Sequence, residues 1–144
     1  MRTIKFRGKR IANGNWIYGD LFREIAFTPT GRKKKSEYSG FWAIQTETPD
    51  GIKSYSVDPE TVGQFTDIKD GKGTEIYKDD IIEVTLRHNK ETVSTYIAVV
   101  DQKEGAFGFK NKQGFCPFYG QIHENYRVIG NIHDNPELMK GGAQ

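Results

Sequence analysis

Gln64-Phe65-Thr66-Asp67-Ile68-Lys69-Asp70-Gly71-Lys72-Gly73-Thr74-Glu75-Ile76-Tyr77-Lys78-Asp79-Asp80-Ile81-Ile82-Glu83-Val84 is the stretch that decides the fold. A charged, glycine-punctuated turn leads into Ile76-Tyr77, a short acidic step follows, and a strand opens at Ile81. That order is the entrance of a small β-barrel, and it holds no reactive constellation.

Downstream, strand-forming runs recur about every ten residues, at 81–87, 92–100, 106–110, 115–119 and 126–132, which is barrel or sandwich spacing. Asn111-Lys112-Gln113-Gly114 predicts a tight turn between two of them. Upstream, Ile4 and Phe6 alternate with Lys5 and Arg7, and Trp16-Ile17-Tyr18 returns after Asn13-Gly14. Asn-Gly predicts a two-residue type I′ hairpin, because both central residues of that turn need positive φ. Strands are also expected at 41–45 and 53–57, joined by Thr48-Pro49-Asp50-Gly51. Asp58-Pro59-Glu60-Thr61 has a capping acid, a proline at the first helical position and an early Glu, which predicts one helical turn. The expected fold is mainly β: an N-terminal β-lobe over 1–62 with a mobile basic loop near 28–40, packed on an SH3-like small barrel over 63–138. A few short helical turns and a flexible tail at 139–144 complete it.

Composition narrows the function classes. Apolar residues make up 35% of the 144-residue chain and aromatics 12%, so a core thin in aliphatics gains from large rings. Cys116 is the sole cysteine, which removes an internal disulfide and a cysteine-based metal cluster. The basic start at Arg2 lacks a following apolar run, and no run approaches the length of a membrane span. The expectation is a cytoplasmic protein without cofactor or membrane partner. Residues 1–40 carry ten Lys/Arg against three Asp/Glu, a net +7, whereas residues 41–144 carry eleven against sixteen, a net −5. Such a split suits a polyanion-facing surface or subunits packing together.

The Gln64–Val84 block, Phe6-Arg7-Gly8-Lys9, Trp16-Ile17-Tyr18-Gly19-Asp20 and the ending Val128-Ile129-Gly130-Asn131-Ile132 resemble the YopX family of phage and prophage proteins. The resemblance spans most of the chain. It implies a β-rich fold, a phage or prophage setting and homo-oligomerisation, and it carries over no catalytic residue. Two departures fall in turns. The family reads Thr-Gly-Leu where this chain has Thr66-Asp67-Ile68, and Glu-Gly-Asp where it has Lys78-Asp79-Asp80. Aspartate tolerates left-handed backbone better than most residues, so both turns should survive. His133-Asp134 stands where the family shows Tyr-Glu.

Each reactive residue type has a structural alternative. Asp79 and Asp80 are a carboxylate pair of the kind that binds hard cations, and with a histidine they would suit a metal-dependent hydrolase. The structural alternative assigns Asp79, Asp80, Gly130 and Asn131, with Asn13 and Gly14, to turns, Asp80 accepting backbone N–H bonds on entry to a strand. His88, His123 and His133 lack metal-ligand spacing, and His88-Asn89-Lys90 reads as a hairpin tip. Cys116, inside Phe115-Cys116-Pro117-Phe118-Tyr119, reads as a small buried apolar residue. Lys5, Arg7 and Lys9 alternate on one strand face, with Arg10 nearby and Arg32, Lys33, Lys34 and Lys35 in the loop. With Trp16 and Tyr18 opposite, they compose a candidate nucleic-acid surface of phosphate-neutralising cations beside stacking rings. The alternative makes them edge guards and core. The leading expectation is a non-enzymatic homo-oligomeric interaction module; partners considered are a second copy, nucleic acid, or another phage or host protein.

Overall fold

The chain begins as a meander in which a short polar loop joins the first two strands and a two-residue turn joins the third and fourth. The computed structural model describes residues 4–24, 41–118 and 125–141, which fall into two units dividing between Gln64 and Phe65. In the first unit β1 (Phe6–Lys9), β2 (Trp16–Glu24), β3 (Phe41–Thr48) and β4 (Gly51–Ser56) pair antiparallel in sequence order. The start of β5 (Gly63–Lys69) lies along the other side of β1, Gln64 opposite Phe6 and Gly63 opposite Arg7. An isolated bridge between Arg10 and Val57 ties the end of β1 to the residue after β4, so the sheet curls back toward its own start. Ile44 and Val57, both fully buried, sit inside the curl. Gly8 permits it, since a Cβ there would lie 3.1 Å from the Val57 side chain.

The expected helical turn is a 3₁₀ turn at Pro59–Thr61, capped by the Asp58 carboxylate, which accepts from Glu60 N–H at 3.0 Å. Thr48 and Gly51 close a two-residue turn between β3 and β4. The first hairpin differs from its expectation. Arg10 N–H donates to the Asn15 carbonyl and Gly14 N–H to the Arg10 carbonyl, both at 2.8 Å, so the loop spans residues 11–14. Gly14 has φ 73° and Asn13 does not join it at positive φ, which excludes type I′. Asn13 instead accepts from Asn15 N–H at 3.0 Å and closes the turn with its side chain. Gly14→Val should still cost ~1–2 kcal/mol, because a β-branched residue resists the left-handed region. The space is open there, so Gly14→Asn should cost far less; equal thermal melts for the Val variant and the parent would refute the strain.

The second unit continues from Phe65 through β6 (Glu75–Tyr77), β7 (Asp80–Arg87), β8 (Val93–Lys103), β9 (Ala106–Asn111), β10 (Gly114–Pro117) and β11 (Tyr126–Asn131) to α1 (Glu137–Gly141). Five of these strands form an antiparallel sheet ordered β10-β9-β8-β7-β11. The expected strands therefore form, and the fold is mainly β with a single α-helix among the described residues. The strand order leaves β10 and β11 as edges, so no backbone ladder closes this sheet into a barrel among the described residues. Side chains bring the edges together instead. Phe118, just past β10, meets Tyr126 of β11 edge-on at 5.1 Å, and both rings contact Phe109. The rings cap a core of Ile76, Ile82, Val84, Ala98 and Val100, whose burial contributes about 1.5–3 kcal/mol for each large side chain. Burial pushes the Tyr126 hydroxyl pKa up, with nearby Cys116 and Tyr96 adding to it.

The two departures that fall in turns are accommodated as left-handed residues. Asp67 has φ 69° and Asp79 has φ 75°. Asp67 occupies an irregularity where β5 and β6 lose register, and Thr66 Oγ1 bridges it by donating to the Ile76 carbonyl at 2.8 Å. The 70–74 turn is organised by Asp70, a buried carboxylate that accepts from Lys72, Thr74 and Val128 N–H groups, each at 2.9 Å.

Candidate functional site

Register alone assembles a surface on the first unit. Arg7 lies opposite Tyr18 and Lys9 opposite Trp16; Asp20 lies opposite Gln45 and Glu47 opposite Ile52. Alternation along each strand therefore puts Lys5, Arg7, Lys9, Trp16, Tyr18, Asp20, Gln45, Glu47 and Ile52 on one outer face. The expected sharing of a face by Lys5, Arg7 and Lys9, and by Trp16 and Tyr18, is present. Their availability is not as expected. Arg7 is only 6% exposed, with its guanidinium 4.6 Å from the Trp16 ring centre, and Lys9 approaches the same ring at 5.6 Å. Trp16 thus already serves cations of its own chain. Arg10 leaves this face, its guanidinium lying 4.2 Å from the ring of Tyr55, which alternates to the opposite side from Ile52. Arg32, Lys33, Lys34 and Lys35 lie outside the described residues, so the basic stretch expected there is not placed.

Lys5, Tyr18, Asp20, Gln45, Glu47 and Ile52 line a cleft of about 400 Å³ on this face. Tyr18 is 43% exposed and Ile52 63%. The Asp20 and Glu47 carboxylates have no ion-pair or hydrogen-bond partner among the described residues. Two carboxylates beside an aromatic ring attract cations and repel phosphate, so the face is mixed in charge and not a continuous basic groove. Sequence reasoning missed Asp20, Glu47 and Ile52. The Thr48–Gly51 turn carried the signal, since a two-residue loop fixes which β3 and β4 residues share a face.

The acidic step proves to be built into the second unit's backbone. Asp80, 1% exposed, accepts from Tyr77 N–H at 2.7 Å, as expected for a turn into a strand. Asp79 N–H donates to the Val100 carbonyl, and its own carbonyl accepts from Ile132 N–H. Its carboxylate meets Lys78 Nζ at 3.2 Å and His133 Nε2 at 3.1 Å. Two of the three departures from the family pattern, Asp79 in place of glycine and His133 in the closing segment, therefore touch each other. Asn131 holds the next turn, its side-chain oxygen accepting from His133 and Asp134 N–H groups at 3.0 and 2.9 Å. Gly130 lets Asn135 reach back, since a Cβ there would sit 2.6 Å from Asn135 Oδ1. His88 lies at its expected hairpin tip, where its N–H donates to the Thr92 carbonyl, and His123 lies outside the described residues. Among the described residues no three His, Cys, Asp or Glu side chains converge as metal ligands.

Asp80→Ala should lower stability by about 1–3 kcal/mol by stranding the Tyr77 N–H, and Asp80→Asn by less. Asp79→Gly should melt close to the parent, because relief of the left-handed backbone offsets the lost His133 and Lys78 contacts. An Asp80→Ala protein that melts like the parent would show that the carboxylate does not hold this turn.

Cys116 corrects its expectation. The thiol is exposed, not a buried apolar filler, because β10 is an edge strand. It lines a small cleft of about 160 Å³ with Tyr96, Phe109 and Phe115.

Comparison with known proteins follows the fold. The family model described as YopX protein matches residues 5–140. A crystal structure of protein EF1440 from Enterococcus faecalis is similar at a TM-score of 0.53 and 19% identity, covering 96% of this chain and 99% of that one. At that identity the likeness shows the fold alone. No curated protein matches the chain.

Proposed function

The chain belongs to the YopX protein family, and on that premise we propose that it is a non-enzymatic, homo-oligomeric interaction module. The setting we infer is phage or prophage, in the host cytoplasm. The observation that carries the reading is the outer face of the first unit, where Tyr18 and Ile52 lie exposed among charges of both signs. Aromatic and aliphatic surface ringed by mixed charge suits a protein partner better than a polyanion, and a second copy supplies both signs in return. The second unit, whose edges meet through Phe118 and Tyr126, acts in this reading as an SH3-like scaffold. The groups that look reactive, Asp79, Asp80 and His133, serve turns. Light scattering over micromolar concentrations should show a defined oligomer; a strict monomer across that range would remove the homo-oligomeric part.

Nucleic-acid binding is the second reading, favoured by Lys9 against Trp16 and by the net +7 of residues 1–40. Each duplex phosphate contact would add a slope of about −0.9 to the salt dependence of binding. Replacing Lys5, Lys9 and the 32–35 cations with Ser would flatten that slope. Absence of any oligonucleotide binding at low salt would discard this reading.

A further inference from the structure

We propose that the outer edge of β4 is a docking site for an extended basic segment of a partner protein, which adds as a strand beside Ile52 and Ser54. The inference rests on the reading of the first unit as a binding module and adds the chemistry of the partner. Hydrogen-bond parity identifies the open edge. Val57 N–H donates to the Trp42 carbonyl, so Gly51, Lys53 and Tyr55 also turn their main-chain groups toward β3. Ile52, Ser54 and Ser56 turn theirs outward. The Ser56 carbonyl accepts from Ile11 N–H at 3.0 Å, which ends the open stretch. The N–H and C=O groups of Ile52 and Ser54 have no partner among the described residues.

Edges are usually blunted by proline, a bulge or charge. β4 has neither proline nor bulge, and Lys53 leans toward Asp50 at 3.9 Å. A strand added here would place alternate side chains on the outer face, next to Ile52 and over the cleft. There the Glu47 carboxylate, which has no partner among the described residues, would receive a Lys or Arg whose aliphatic stem covers Ile52, with the Asp20 carboxylate behind it. Lys5, at the far side of the cleft, already has a partner, so the charge on offer is negative. Charge complementarity thus selects a basic segment and disfavours an acidic one or a nucleic acid.

The test is a heteronuclear NMR titration of the full chain with a seven-residue synthetic probe alternating Val and Lys, and with its Val/Glu counterpart. The basic probe should shift the Ile52 and Ser54 amides, and the acidic one should bind at least about tenfold more weakly. Ser54→Pro removes only an outward N–H, so the fold should persist and binding should disappear. Glu47→Lys, at an exposed position, should weaken binding by about tenfold or more and leave the melting temperature unchanged. The proposal is overturned if neither amide shifts, if both probes bind alike, or if Ser54→Pro binds like the parent. It is also overturned if both amides are already protected in the oligomer and open on dilution, since a second copy then occupies the edge. Light scattering on the same samples separates the two readings. An oligomer that ignores the probe removes only the docking edge, and a monomer that binds it removes only homo-oligomerisation.

Discussion

Asp70→Ala is expected to lower stability by about 2–4 kcal/mol, because it removes the acceptor of three partly buried N–H donors at once. One oxygen of Asp70 accepts from Lys72 and Thr74 within its own turn, and the other accepts from Val128 on β11. The carboxylate therefore shapes the turn and also pins it to a strand 58 residues away. Asp70→Asn should fall between Ala and the parent: one carbonyl oxygen can serve the turn, but the amide nitrogen then faces the Val128 N–H as a second donor. Burial by itself would raise the pKa of Asp70, but the N–H groups of Val128, Thr74 and Lys72, with the Lys72 charge, outweigh it and hold the carboxyl below its usual value. A carboxyl whose pKa is depressed on folding contributes its full stability above the unfolded value and loses it as pH falls through the folded one. Urea melts from pH 7 down to 2 should show a parent-to-Asn difference that is constant to about pH 4 and then shrinks. A difference that persists undiminished at pH 2 would contradict the charged-acceptor account.

Gly19→Ala should be comparably damaging, about 3 kcal/mol or more, through contact with backbone rather than a deformable side chain. A Cβ at Gly19 would lie 2.1 Å from the Gln45 carbonyl oxygen and 3.3 Å from the Ile44 side chain. Relief requires β2 and β3 to separate where Asp20 pairs with Gln45, which also disturbs the cleft wall. Circular dichroism melts of Gly19→Ala and Gly14→Ala make the comparison, since Gly14 has open space around it. Equal, small losses at the two sites would show that β2 and β3 do not approach this closely.

What the sequence makes legible is local. The Pro-initiated turn at Pro59–Thr61, the Thr48–Gly51 reversal and the left-handed Asp67 and Asp79 each follow from backbone preferences within four residues. The first hairpin departs from its expectation because Asn13-Gly14 suits more than one loop, and the choice depends on Arg10 pairing with Asn15. Arg7 looked like a surface cation because alternation gives the face of a strand, not what covers it. Cys116 looked buried because its neighbours are aromatic, whereas its exposure depends on β10 being an edge. The Asp70–Val128 bond and the Asp79–His133 contact are illegible for a shared reason: each joins residues more than fifty apart.

The placement of the rings has a spectroscopic consequence. Both tryptophans, Trp16 and Trp42, belong to the first unit, and each indole has an arginine against its face, Arg7 at 4.6 Å and Arg23 at 5.7 Å. The aromatic cluster of the second unit contains only Phe and Tyr among the described residues. Tryptophan emission therefore follows the first unit and changes when its indoles become exposed to solvent. Tyrosine absorbance includes Tyr96 and Tyr126 and weights the second unit. Recorded together in one urea titration, the two signals reveal without any label whether the units melt as one cooperative body or in succession.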